Sequence, residues 1–81
     1  MSPEKRLKGF VVGSDLVGGK KVWKVRVRDP GHELNGNKFK VASTNGDIEL
    51  AQGLEVTFLI GTFQEFGRTV QKAVDVRLDN D

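Results

Sequence analysis

Five cations fall in two short runs of this 81-residue chain, Lys24, Arg26 and Arg28 in one and Lys38 and Lys40 in the other. Within each run a single apolar residue separates neighbours. That spacing puts every cation on the polar side of an extended strand, where an ammonium or guanidinium suits the phosphates of a polyanion. If the two runs pair as adjacent strands, all five share one outer face, and no acid interrupts either run. Like charges side by side across a sheet repel, each pair destabilising by roughly a few tenths of a kcal/mol. A polyanion relieves that repulsion. The alternative is a solvated basic face that keeps a small domain soluble.

Aromatic residues decide what such a face can hold. Binders of single-stranded nucleic acid combine a basic groove with aromatic side chains, each stacked base contributing ~1–3 kcal/mol. Phe63 and Phe66 stand between Gly61 and Gly67, a stretch that reads as a loop able to overhang the face. Either could instead plug the end of a core. Trp23 shares an alternation face with Val25 and Val27, which makes it core by pattern and platform only as a second reading. Phe39 alternates with Lys38 and Lys40 and is open to both roles. Phe10 is expected to be partly exposed, and Phe58 to be core.

Other chemistry is poorly supplied. With no Cys and a single His, disulfides, thiol nucleophiles, Cys-based zinc sites and two-imidazole sites are excluded. His32 follows Pro30-Gly31 with no cluster of carboxylates beside it and reads as a surface residue. Gly13 with Gly18-Gly19-Lys20 only brushes a phosphate-loop pattern: the Lys is one position late, no Ser or Thr follows, and a strand rather than a helix comes next. Asp47, Glu49 and Glu55 lie in a turn segment without an apolar pocket. No catalytic residue, metal or cofactor is expected, and the chain does not read as an enzyme.

The elements that carry these residues are strands. Trp23, Val25 and Val27 alternate with Lys24, Arg26 and Arg28, the period of a strand with one wet face. Leu54, Val56, Phe58 and Ile60 repeat the alternation, as do Val74, Val76 and Leu78. Gly13 to Gly19, Asp29-Pro30-Gly31, Asn35-Gly36, Asn45-Gly46 and Gly61 to Gly67 punctuate the runs. Five strands are predicted, at 7–12, 20–28, 38–43, 54–62 and 69–78. In so short a chain they suggest one all-β domain over 1–81, a small five-stranded antiparallel barrel of the oligonucleotide-binding (OB) type, with flexible ends at 1–5 and 79–81. The long third connection, 42–53, favours that type over an SH3-like barrel.

Charge is unevenly spread. The formal total is +2, but residues 20–40 hold seven cations against two acids, and residues 41–81 three cations against seven acids. Such asymmetry speaks of partners rather than of fold. No apolar run approaches the ~20 residues of a membrane span, and no signal-peptide core follows Met1. A cytoplasmic location without membrane attachment is the default expectation.

The run from Asp47 to Phe58, Asp-Ile-Glu-Leu-Ala-Gln-Gly-Leu-Glu-Val-Thr-Phe, resembles the second half of cold-shock domains, as does the ending Ala73-Val-Asp-Val-Arg-Leu78. Lys38-Phe39-Lys40-Val41-Ala42-Ser43 sits where that family carries its second RNA-contacting motif, an aromatic-rich Val-Phe-Val-His. The resemblance covers residues 38–78. It implies an OB barrel that binds single-stranded RNA or DNA, with Phe39 at a base-stacking position. The family's first motif, Lys-Gly-Phe-Gly-Phe-Ile, is represented only by Lys8-Gly9-Phe10-Val11-Val12, and Ala42 stands near the place of the motif His. The expected function is therefore a single-stranded nucleic-acid-binding module. Its phosphate contacts come from Lys24, Arg26, Arg28, Lys38 and Lys40, and its stacking from Phe39 and Phe63 with Phe10, Trp23 and Phe66 behind them. The alternative is a small barrel that binds a protein partner without nucleic acid.

Overall fold

The computed structural model describes residues 6–79. Of the ends expected to be flexible, only Asp79 falls within them, and its amide donates to the Glu55 carbonyl at 3.1 Å. Five strands form: β1 (Leu7–Val17), β2 (Lys20–Val27), β3 (Lys38–Lys40), β4 (Glu55–Glu65) and β5 (Arg68–Leu78). They make one antiparallel sheet in the order β3-β2-β1-β4-β5. The core is a single cluster, Leu7, Val11, Val25, Val27, Val56, Phe58, Ala73 and Val76.

Two connections are tighter than the sequence suggests. The stretch Gly13 to Gly19 is not all turn, because β1 runs on to Val17 and only Gly18-Gly19 bends the chain. Both glycines have positive φ, 58° and 80°, as a two-residue hairpin turn that follows the strand twist requires. Gly61 to Gly67 is likewise strand as far as Glu65. Phe66 and Gly67 make that turn with φ of 51° and 76°, so a phenylalanine occupies left-handed backbone that normally favours glycine or asparagine. The expected overhanging loop is therefore a hairpin.

No helix forms among the described residues, so none there is long and apolar enough to cross a membrane. The 42–53 connection is coil apart from an isolated bridge at Thr44. The ladder is not continuous between the outermost strands β3 and β5. β3 ends at Lys40 rather than at 43, and the chain beyond it meets β5 only through isolated parallel bridges, Val41–Ala73 and Thr44–Val76. Backbone bonds from Ala42 N to Ala73 O (2.7 Å) and from Asn45 N to Val76 O (2.9 Å) hold that contact.

β5 breaks the expected alternation. Thr57 pairs with Arg77 and Leu59 with Val74, so β5 carries one more residue than β4 across this step. Asp75 sits there with φ of 52°, and the buried residues on either side are Ala73 and Val76, three apart instead of two. Side chains fix this bulge. Arg6 donates from Nη1 to Asp75 Oδ2 (2.9 Å) and from Nε to Thr57 Oγ1 (3.0 Å), while Asn45 Nδ2 donates to Asp75 Oδ1 (2.8 Å). The Asn45 hydrogen bond first, then Arg6 and the Arg77 charge, hold the Asp75 carboxyl below its usual range against a partial desolvation penalty.

A carboxyl depressed on folding contributes stability above its unfolded pKa and loses it as pH falls through the folded value. The Asp75 contribution is thus present at neutral pH and lost below about pH 4. Thermal melts should show Asp75→Asn destabilised relative to the parent at pH 7, with the gap closing toward pH 3. A gap independent of pH would reject the assignment.

Candidate nucleic-acid interface

Register builds the face. On β2 the buried residues are Val25 and Val27, so Lys24 and Arg26, which alternate with them, point outward. β3 pairs with β2 through Lys24–Lys40, Val25–Phe39 and Arg26–Lys38. Two rungs of like charge therefore lie side by side, as the sequence suggests. Phe10 on β1 is opposite Arg26 on one side and Glu55 of β4 on the other. One row thus crosses four strands as Glu55, Phe10, Arg26, Lys38, and a second runs Gly13, Lys24, Lys40.

Arg28 lies one residue past β2, its amide donating to the Lys8 carbonyl at 2.8 Å. Its guanidinium is 5.5 Å from the Phe10 ring centroid and 2.5 Å from Glu55 Oε1. At the other end of the face Lys24 pairs with Asp15 of β1. The expectation of an uninterrupted basic surface is corrected here. The acids reach the face from β1 (Asp15) and β4 (Glu55), which no reading of β2 and β3 alone could reveal. Lys24, by its hydrogen bond and then its charge, holds the Asp15 carboxyl below its usual range, and Lys40 and Lys38 act in the same direction. Arg26, Lys38 and Lys40 make no ion pair among the described residues. Arg26 Nε is enclosed and has no hydrogen-bond partner, an unusual state for a buried polar atom.

The expected aromatics divide. Phe10 stands in the basic row. Trp23 and Phe39 are on the opposite side of the sheet, partly buried and packed against the core. Phe39 is there because it faces Val25, and alternation with two outward lysines leaves it no other side. Phe63 is in β4 opposite Val70, with Lys72 Nζ 5.5 Å from its ring, rather than in a loop. Phe66 is fully exposed at the β4–β5 tip.

Residues of that hairpin and of the β1–β2 hairpin line one groove. This open groove of about 580 Å³ is walled by Val17, Val22, Val41 and Phe66, with Lys40, Glu65 and Lys72 at its polar side, where Lys72 pairs with Glu65. Lys40 belongs to both groove and rung, so the two surfaces are continuous. Sequence reading missed Val17 and Val22. The signal available was Gly18-Gly19 between residues of strand type, which allows a two-residue hairpin and extends alternation back to Asp15 and Val17.

His32 accepts a hydrogen bond at Nδ1 from the Leu34 amide (3.0 Å), a local turn contact. Among the described residues no three His, Cys, Asp or Glu side chains gather as a metal-binding group. Comparison with family models, curated proteins and solved structures finds no match to the chain.

Proposed function

We propose that this protein binds single-stranded nucleic acid, RNA or DNA, on the outer face of β1, β2 and β3. The observation that carries the reading is the pair of in-register cation rungs, Lys24–Lys40 and Arg26–Lys38, beside the outward Phe10. A sheet that sets two like-charge pairs edge to edge is relieved by a partner with closely spaced negative charge. Phosphates meet Lys24, Arg26, Arg28, Lys38 and Lys40. One base stacks on Phe10, and another enters the groove against Phe66. Trp23 and Phe39 support the sheet from its core side. Phe66 adds a second argument, since strained backbone and full exposure of a large apolar ring are both unfavourable unless the ring is used. The fold we propose is a cold-shock-like OB barrel, supported by the strand order and by the parallel bridges between the chain after β3 and β5.

Fluorescence anisotropy with a labelled oligothymidylate tests the reading. Four to five phosphate contacts at ~0.7 each give a log–log salt slope of about −3, hence a roughly sixtyfold loss of affinity between about 50 and 200 mM salt. Absence of saturable binding at the lower salt rejects the proposal. Phe66→Asn should bind about tenfold less tightly, the loss of one stacked base. The same variant should be more stable by about 1 kcal/mol, because asparagine tolerates the left-handed turn better.

Leu16, 77% exposed at the β1–β2 tip and outside the groove lining, favours a second reading, contact with a protein partner at that tip. Sedimentation with acidic proteins in the absence of nucleic acid discriminates the two.

A further inference from the structure

Arg28 has two partners in the free protein. Its guanidinium lies against the Phe10 ring, and a carboxylate from β4 holds it there. Glu55 can reach it because Glu55 is opposite Phe10 in the sheet, and Arg28, just past the end of β2, lies over the Phe10 ring within reach of that carboxylate. A carboxylate and a phosphate make the same forked contacts to a guanidinium. We infer that Glu55 is a built-in stand-in for phosphate: it stations Arg28 over Phe10, and a nucleic-acid strand gains the Phe10 platform by displacing that carboxylate.

The inference rests on the binding reading above and concerns how that site is regulated. Both side chains of the pair are more than half exposed, 61% for Arg28 and 58% for Glu55. Exposed pairs of this kind are weak enough to exchange. Asp15 does the same for Lys24 at the far end of the face. The two outer cations are therefore neutralised in the free protein, while Arg26, Lys38 and Lys40 between them are not. A small anion can take Arg28 from Glu55 but leaves the ring bare and wet. A nucleotide strand supplies a phosphate for Arg28 and a base for the ring in the same step. The arrangement thus selects ligands that carry both groups.

The test compares the parent, Glu55→Gln and Asp47→Asn in anisotropy titrations with a labelled oligothymidylate. Asp47 is exposed and makes no ion pair among the described residues, so it controls for the change in net charge. Glu55→Gln is expected to bind roughly two- to fivefold more tightly at about 50 mM salt, with the advantage fading by about 200 mM. Asp47→Asn should gain less than half as much. Equal gains, or weaker binding by Glu55→Gln, overturn the role of Glu55 and leave the binding reading standing. Failure of all three proteins to bind overturns the binding reading and this one with it. The Arg28 Nε–Hε resonance adds a readout that needs no ligand. It should move between the free parent and Glu55→Gln, and an unchanged resonance overturns the stationing of Arg28.

Discussion

Gly9→Ala is expected to destabilise the protein by about 3 kcal/mol, the upper end of what one added methyl does in a packed site. A Cβ built at Gly9 would lie 2.2 Å from the Arg26 carbonyl oxygen and 3.0 Å from Phe58 Cε1. The nearer contact is backbone, so no rotamer change can relieve it. β1 would have to separate from β2 or lift off the core. For a domain whose stability is of order 5 kcal/mol, such a loss leaves a substantial unfolded fraction on mild heating. Denaturant titration checks this through the midpoint at constant slope. A shift worth less than about 1 kcal/mol would show that the two strands part easily. The folded remainder should bind oligonucleotide less well, because Phe10 and Arg26 face each other across the contact that the methyl pushes open.

The second large effect is on binding, with an opposite effect on stability. Lys38→Gln/Lys40→Gln removes the β3 member of both rungs while keeping chain length and β3 backbone pairing. Affinity for oligothymidylate should fall at least about tenfold at low salt, and the salt slope should shrink by about 1.4, two contacts at ~0.7 each. Stability should hold or rise by a few tenths of a kcal/mol, since two like-charge pairs are gone. A variant that is more stable and binds less identifies charges kept for a ligand. One that binds normally identifies a surface that only keeps the protein in solution.

The legible parts of this fold were those governed by period two. β2 alternates cleanly, so its cations point outward, and its pairing with β3 needs only that two short polar-faced runs be neighbours. The strand count follows from the same periodicity and from glycine punctuation. Bulges were not legible. Asp75 adopts left-handed backbone because Arg6 and Asn45, far away in sequence, hold its carboxylate, and no local pattern records such a partner. Phe66 hid a two-residue turn because a phenylalanine is not where positive φ is looked for. Within the site the cations and Phe10 were readable, whereas Glu55 was not. Its place opposite Phe10 depends on pairing between β1 and β4, which are separated by the two intervening strands and a long coil. Phe39 shows the limit of analogy: the resembled family stacks a base there, but the Lys38 and Lys40 that flank it here turn it toward Val25.

The sheet order also divides the molecule in time. β1 with β2, and β4 with β5, are hairpins closed by two-residue turns, the kind of unit that forms within microseconds. What joins them is short: the ladder Leu7–Phe58 to Phe10–Glu55, extended by the bonds between Val11, Gly53 and Leu54. Of the strand ladders, this seam pairs residues furthest apart in the sequence, and it is expected to close last and open first. Amide hydrogens along it should exchange faster than those inside either hairpin. Phe10 and Glu55 are its final rung, so a strand of nucleic acid lying across them would act as a clasp over the slowest-forming joint in the protein.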